Sequence, residues 1–246
     1  MDTAPAGSRA LAEAAQAGPY FTIQPWSAGA PWRPFGMLLA DPAVLPERVG
    51  HARAVLARNV GCATGDVEPR VAASVVFLGL AAQLVSPLLG AAVLAGVLPQ
   101  LTVADLYWQP VTGGPWPLAA RTVDGTVVAE LTASQAADLL VARLDGLTGP
   151  LADAFRAGFQ LSGQVLRGNV GSALGGATAT LSAAIPVQAG RTAELAAAVL
   201  TRPPLRGAGE FGPGQRFQRR SCCLLYRVPG AGLCGDCILA TRPGSR

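Results

Sequence analysis

A long run without any charged side chain dominates the middle of the sequence and limits how the chain can fold. It extends from Val71 to Ala104 and is rich in Ala, Val, Leu and Gly. A run of this length must either cross a bilayer or be buried in a protein core. Ser86-Pro87 predicts a break between two helices, because proline cannot donate the helical hydrogen bond. We therefore expect two core helices packed against each other and no transmembrane anchor.

The rest of the sequence has the composition of a folded protein. Of the 246 residues, 50% are hydrophobic and 14% are charged, which excludes a disordered chain and is enough for a sizeable core. Gly149-Pro150 predicts a helix break, and Gly171–Gly176 predicts a helix end or an interhelical loop. The spacing of apolar residues predicts helices at 46–60, from Thr132 or Ser134 to 147, at 151–170 and at 191–200.

A short β-rich segment and a loop-rich C-terminus complete the predicted architecture. Residues 121–128 are rich in Val and Thr around Asp124-Gly125, which predicts a small hairpin. From Thr201 onward Pro and Gly dominate as far as a group of cysteines. We therefore expect an α+β, mainly helical fold: a helical domain at 1–200 that includes the small β-hairpin region, and a C-terminal loop-rich tail at 201–246.

The charge pattern bears on partners and compartment. The net charge is only +4 and all 19 basic residues are arginines, without the dense basic stripe typical of nucleic-acid binders. The N-terminus has no basic segment followed by an apolar one, so we expect no signal peptide. These features predict a cytoplasmic protein that does not bind nucleic acid and whose thiols are reduced.

Four of the five cysteines lie close together near the C-terminus, as Cys222, Cys223, Cys234 and Cys237. A C-x2-C turn places two sulfurs on one side of a tight loop. In an extended strand, neighbouring side chains point to opposite faces. The adjacent Cys222 and Cys223 can therefore approach the other two sulfurs together only if the backbone bends. Four converging thiolates need a metal cation to stay deprotonated. From the spacing alone, a four-cysteine zinc site and a [2Fe–2S] cluster remain equally good interpretations, and a redox dithiol would lack its usual βαβ context.

The residues around these cysteines resemble a known family. The run Arg-Arg-Ser-Cys-Cys-Leu-Leu-Tyr-Arg at 219–227, followed by Cys-Gly-Asp-Cys at 234–237, is similar to the C-terminal signature of FhuF-type ferric siderophore reductases. Gly168-Asn169-Val170 and Ala72-Ala73-Ser74 also resemble segments of that family, with Arg167 where an aromatic residue is typical. The resemblance implies a [2Fe–2S] cluster bound by all four tail cysteines.

The same resemblance implies an oxidoreductase. It would reduce Fe(III) in a hydroxamate-type siderophore to Fe(II) by one electron, and hard oxygen chelators hold Fe(II) far less firmly. No dinucleotide-binding motif is found, so an external donor such as a ferredoxin or flavin reductase is expected. Peripheral association with the inner membrane stays open. Contacts to the cluster, substrate or donor are expected from the side chains that flank the cysteines: Arg219, Arg220, Tyr226 and Arg227.

Two other functions remain as alternatives. The tail could be a structural four-cysteine zinc module that docks the helical domain to a partner. The helical domain could instead grip a siderophore while the tail takes no part in chemistry. Cys62 and His51 stand without metal-binding neighbours in the sequence and are predicted to lie outside the site.

Overall fold

Most of the uncharged run forms one continuous helix, α4 (Pro69–Leu94), in the computed structural model of the chain, and the end of the run includes strand β3 (Val97–Pro99). The predicted break at Ser86-Pro87 is wrong, because Pro87 lies inside this helix. An interior proline costs about 3 kcal/mol, and here the burial of most of α4 offsets it. By length and composition α4 could cross a membrane, but 78% of its most apolar window is buried, so it serves as the central core helix. The prediction that this run is core is confirmed.

The structure describes residues 4–111 and 114–241, and the fold there is α+β and mainly helical, as predicted. The other helices are α1 (Ala6–Ala14), α2 (Met37–Ala40), α3 (Val44–Val60), α5 (Ala133–Phe159), α6 (Gly163–Ala184) and α7 (Ala189–Leu200). The strands are β1 (Gln24–Pro25), β2 (Arg33–Pro34), β3 (Val97–Pro99), β4 (Leu106–Trp108), β5 (Leu118–Ala120), β6 (Gly125–Val127), β7 (Gly209–Phe211) and β8 (Phe217–Arg219).

Helices α1, α3, α5 and α6 pack around α4, and α7 packs against α5 and α6. Phe77 of α4 meets Phe155 of α5 edge to face, with ring centroids 5.3 Å apart. The Gly149-Pro150 break is also wrong, since α5 continues through it to Phe159. Tertiary burial again overrides a local helix-breaking signal, as it does in α4. The predicted helices at 46–60 and 191–200 are confirmed as α3 and α7.

The strands form three small sheets, and none is the predicted hairpin at 121–128. β6 pairs antiparallel with β3, so that Thr126 faces Leu98. The residues before β6 form hydrogen bonds with other segments. The Ser8 amide donates to the Val123 carbonyl at 3.0 Å, and the Gln100 amide donates to the Asp124 carbonyl at 2.8 Å. The segment is thus β-like, as expected, but its partner is the strand that follows α4. The largest sheet has the order β1-β5-β4-β2, and β7 pairs with β8.

The glycine-rich segment at 171–176 is helical and lies inside α6, so the predicted loop is wrong. Gly168, Gly171 and Gly175 follow one face of α6 at helical spacing, and the tail packs there. A β-carbon added at Gly171 would lie 3.1 Å from both Ala208 Cβ and Phe217 Cζ. One added at Gly175 would overlap the base of the Phe217 ring. The glycines therefore provide the space in which the β7–β8 hairpin sits on α6.

The close packing at Gly175 leads to a testable prediction, with the neighbouring Gly176 as the control. Gly175→Ala should lower the free energy of unfolding by about 1–3 kcal/mol, because the methyl group overpacks the Phe217 contact. Gly176 has open space around it. Gly176→Ala should raise the free energy of unfolding by up to about 1 kcal/mol through helix propensity. Urea denaturation of both variants checks this, and equal effects would contradict the close packing.

Candidate metal centre

The tail reaches its first cysteine pair directly from strand β8 and then bends sharply. Leu224 adopts a left-handed backbone with φ of 72°, immediately after Cys223. For a residue other than glycine this conformation is costly and usually marks a functional constraint. Val228, a few residues later, is 1% exposed and belongs to the main core. The bend that adjacent cysteines require is thus present, and the chain beyond it is anchored.

The four tail thiols are neighbours in the folded chain. The hydrogen bond between the thiols of Cys234 and Cys223 lowers the pKa of Cys223 and raises that of Cys234. Burial raises the pKa of Cys222, and the nearby charges of Cys223 and Cys237 raise it further. Among the described residues, no three His, Cys, Asp or Glu side chains are close enough to hold a single ion.

Backbone amides surround the sulfurs. The Leu224 amide donates to Cys222 Sγ and the Leu239 amide to Cys237 Sγ, both at 3.3 Å. A hydrogen bond from the Leu225 backbone lowers the pKa of Cys223. Each of these donors stabilises negative charge on sulfur, the form in which cysteine binds metal. These amides therefore oppose the effect of burial, which raises the pKa of Cys222 and acts against the lowered pKa of Cys223.

A buried arginine adds positive charge beside the thiols. Arg219 is 1% exposed, and its Nη2 donates to Asn169 Oδ1 at 2.6 Å. Asn169 is itself fully buried, and its Nδ2 donates to the carbonyl and Oγ of Ser74 at 2.9 and 3.0 Å. Arg219 Nε and Nη1 have no hydrogen-bond partner in the described ranges. Its charge opposes the burial that raises the pKa of Cys222, and it adds to the hydrogen bond with Cys234 that lowers the pKa of Cys223.

This donor set fits an iron–sulfur cluster. A cluster with four thiolates is an anion and becomes more negative on reduction, and it accepts hydrogen bonds at its sulfurs. Burying a guanidinium with two unsatisfied donor atoms is expensive unless an anion accompanies it. Arg219 supplies such a cation next to the thiols, and the backbone amides supply the hydrogen bonds. The residues present therefore suit an anionic group bound by the tail cysteines.

The other flanking residues lie at the surface. Arg220 pairs with Glu210 at 2.9 Å, and Arg227 pairs with Glu68 of the helical part at 2.7 Å. The Tyr226 side chain is 49% exposed. Arg219, unlike these three residues, is buried. Its position therefore suits an electrostatic effect on a cluster better than direct contact with a substrate or a donor protein.

The two remaining metal-capable residues lie on or after α3. His51 is exposed and lines a cavity of about 340 Å³ together with Arg48 and Trp116. Cys62 is half-buried and packs against the main core.

Comparison with known families identifies the tail. Residues 219–237 match the family model of the FhuF 2Fe-2S C-terminal domain. Residues 219–237 therefore resemble an FhuF-type iron–sulfur segment. The resemblance and the [2Fe–2S] cofactor predicted from it are thereby confirmed, and the match spans the whole cysteine pattern from Arg219 to Cys237. A search of curated proteins found no match to the chain.

Some residues that contact the cysteine-bearing tail could hardly be recognised from the sequence. Ser172 of α6 donates a short hydrogen bond to the carboxylate of Asp236, which lies inside the C-x2-C turn. The carbonyl of Asp236 accepts from the Arg219 amide at 3.2 Å and so ties the turn to β8. The available signal was the spacing of Gly168, Gly171 and Gly175, which marks the face of α6 where the tail packs.

The buried cation generates a prediction for the FhuF-type cluster. Arg219→Gln should lower its midpoint potential by about 60 mV, equivalent to about 1.4 kcal/mol for one electron, because a nearby cation favours the reduced form. Arg219→Lys should retain most of the potential. The neighbouring Arg220→Gln is the control, since Arg220 is exposed and paired with Glu210. Spectroelectrochemical titration measures the potentials, and equal shifts for the Arg219→Gln and Arg220→Gln variants would contradict a special role for Arg219.

Proposed function

We propose that the chain is a ferric siderophore reductase whose tail thiolates hold the [2Fe–2S] cluster. The proposed ligands are Cys222, Cys223, Cys234 and Cys237. The buried guanidinium of Arg219 beside these thiols carries the proposal, because it has two unsatisfied donor atoms and suits an anionic redox group. The family match of residues 219–237 supports the same interpretation.

The cluster, when bound, supplies one electron that converts siderophore-bound Fe(III) to Fe(II), which hard oxygen ligands hold far less firmly. The chain's own residues prepare the site for this. Arg219 offsets the negative charge, the amides of Leu224 and Leu239 hydrogen-bond two of the thiolates, and the Leu224 bend brings the first cysteine pair to the second. Asn169 holds Arg219 in place from α6.

The two parts of the chain have different proposed tasks. Residues 1–200 form the helical part that holds and presents the ferric siderophore, and residues 201–246 carry the redox chemistry. The electron comes from an external donor, a ferredoxin or a flavin reductase, in the cytoplasm. A hydroxamate is the proposed siderophore type, because its hard oxygen ligands bind Fe(III) strongly and lose Fe(II) readily.

The ligand set is tested by removing single thiols. Cys222→Ser should abolish the visible absorption bands and the release of ferrous iron, whereas Cys62→Ser should retain both. The unmodified protein should contain about two iron and two sulfide per chain. Absorption and EPR spectroscopy with metal analysis measure these quantities. A colourless protein with one zinc would instead support the four-cysteine docking module, and a coloured Cys222→Ser variant with full activity would overturn the ligand assignment.

The external donor gives a separate prediction. NADH or NADPH alone should leave the oxidised visible spectrum of the purified protein unchanged, because the chain lacks a dinucleotide-binding motif. Adding a ferredoxin or flavin reductase together with its own reductant should bleach the spectrum. Anaerobic stopped-flow absorption follows both reactions, and direct reduction by NADPH would contradict the need for a donor.

A further inference from the structure

Two cavities meet on the surface between α4 and α6 and form one trench. The first, the apolar chamber, has a volume of about 410 Å³, and Phe21, Val75 and Ala82 are among the residues lining it. The second has a volume of about 530 Å³, and we call it the polar chamber because the charged residues Arg216 and Asp236 are among those that line it. Leu78, Ser172 and Gly176 line both chambers. Each volume lies within the range of small-molecule sites.

The polar chamber ends at the iron–sulfur tail. Gly235 and Asp236 line it, and these two residues lie between Cys234 and Cys237 in the C-x2-C turn. The tail residues Gln215 and Arg216 line the same chamber. A molecule in the polar chamber therefore touches the turn that carries two of the proposed cluster ligands. A ferric ion held there would lie beside the turn that carries two of the proposed cluster ligands.

The donors of the polar chamber suit the head of a ferric chelate. Chelating oxygens carry negative charge and accept hydrogen bonds, and Arg216, Gln215 and Ser182 offer donors of these kinds. The Arg216 side chain is exposed, and it forms no ion pair within the described residues. Asp236 contributes the opposite charge, but its carboxylate is engaged by the Ser172 hydroxyl. The chamber thus offers one cation without an ion pair in the described ranges, together with neutral donors.

The apolar chamber has a different chemistry. Apart from hydroxyls such as that of Ser86, aliphatic and aromatic groups line it, and Gly79 and Gly176 leave open space where larger side chains would intrude. An apolar group that enters such a chamber gains about 0.8 kcal/mol for each buried CH₂. A water-soluble chelate that is polar all round would leave this half of the trench unused.

Resting on the proposed function, we propose that the trench binds an amphiphilic ferric hydroxamate, with its chelating head in the polar chamber and an apolar arm in the other. On reduction, one electron passes to the ferric ion, which becomes ferrous, while no bond of the chelator backbone breaks. The electron is replaced by the external one-electron donor. The trench thus selects chelates that carry an acyl or similar apolar arm.

Gallium(III) complexes test binding without electron transfer, because Ga(III) resembles Fe(III) but is not reduced. The cluster-loaded protein is titrated by calorimetry with gallium N-acetyl-desferrioxamine, the plain complex, and with gallium N-octanoyl-desferrioxamine, which has the same charge. The octanoyl complex should bind at least about tenfold more tightly. Equal dissociation constants for the two complexes would overturn the role of the apolar chamber.

Variants assign the binding to the trench. Gly79→Leu fills only the apolar chamber and should remove the advantage of the octanoyl complex while leaving the plain complex unaffected. Arg216→Gln should weaken both complexes about tenfold, and this exposed substitution leaves the core intact. Gly146→Leu is the control, since it also replaces a helical glycine with open space around it, on α5. If the Gly79→Leu and Gly146→Leu variants have the same dissociation constant for the octanoyl complex, or if Arg216→Gln binds both complexes as tightly as the parent protein, the trench is not the site.

A parallel assay separates this inference from the proposed function. The dithionite-reduced protein is mixed with ferric desferrioxamine, and ferrous iron is trapped by a coloured chelator. If Fe(II) is released but the gallium complexes do not bind in the trench, the proposed binding site is wrong and the proposed reductase activity is supported. The opposite result would overturn the proposed reductase activity and support the proposed binding site. In that case the trench variants weaken binding as stated, but no Fe(II) is released above a protein-free control.

Discussion

The buried hydrogen bonds from Arg219 to Asn169 and from Asn169 to Ser74 join the three parts on which the site depends. They connect the tail to α6 and α6 to α4, entirely within the interior. Because a buried guanidinium is costly without an anion, this connection also explains why the tail thiols and an arginine lie together. The FhuF-type tail is therefore built into the helical core, and a cluster in it would lie against a fixed positive charge.

Helix α6 serves two surfaces with small residues on different faces. Gly168, Gly171 and Gly175 make room for the tail hairpin, whereas Gly176 lies in open space and lines the trench. The hydrogen bond from Ser172 to Asp236 lies where the two surfaces meet. In the proposed function, this one helix brings the ferric siderophore and the tail together, and the geometry between them depends on the same backbone.

Local sequence patterns predicted whether a segment is helical or extended better than they predicted where a helix ends or which strand pairs with which. The prolines Pro87 and Pro150 indicated helix breaks, yet both lie within long helices whose burial outweighs the cost of the proline. Asp124-Gly125 indicated a hairpin, but β6 found its partner in β3, a strand distant in sequence. The glycines at 171–176 resembled a loop because their use is tertiary: they accommodate Phe217 and the tail.

The sequence by itself determined the mainly helical class and the burial of the uncharged run, because hydrophobic content is a local property of the chain. The resemblance of residues 219–237 to a known family, rather than the cysteine spacing alone, indicated the cofactor. Only the tertiary structure decided which of the flanking arginines is enclosed. Arg219 and Arg220 are adjacent in sequence, but one faces α6 and the other faces solvent. It also decided where the trench lies, because the chambers are formed by helices and a tail that are far apart along the chain and meet only through packing.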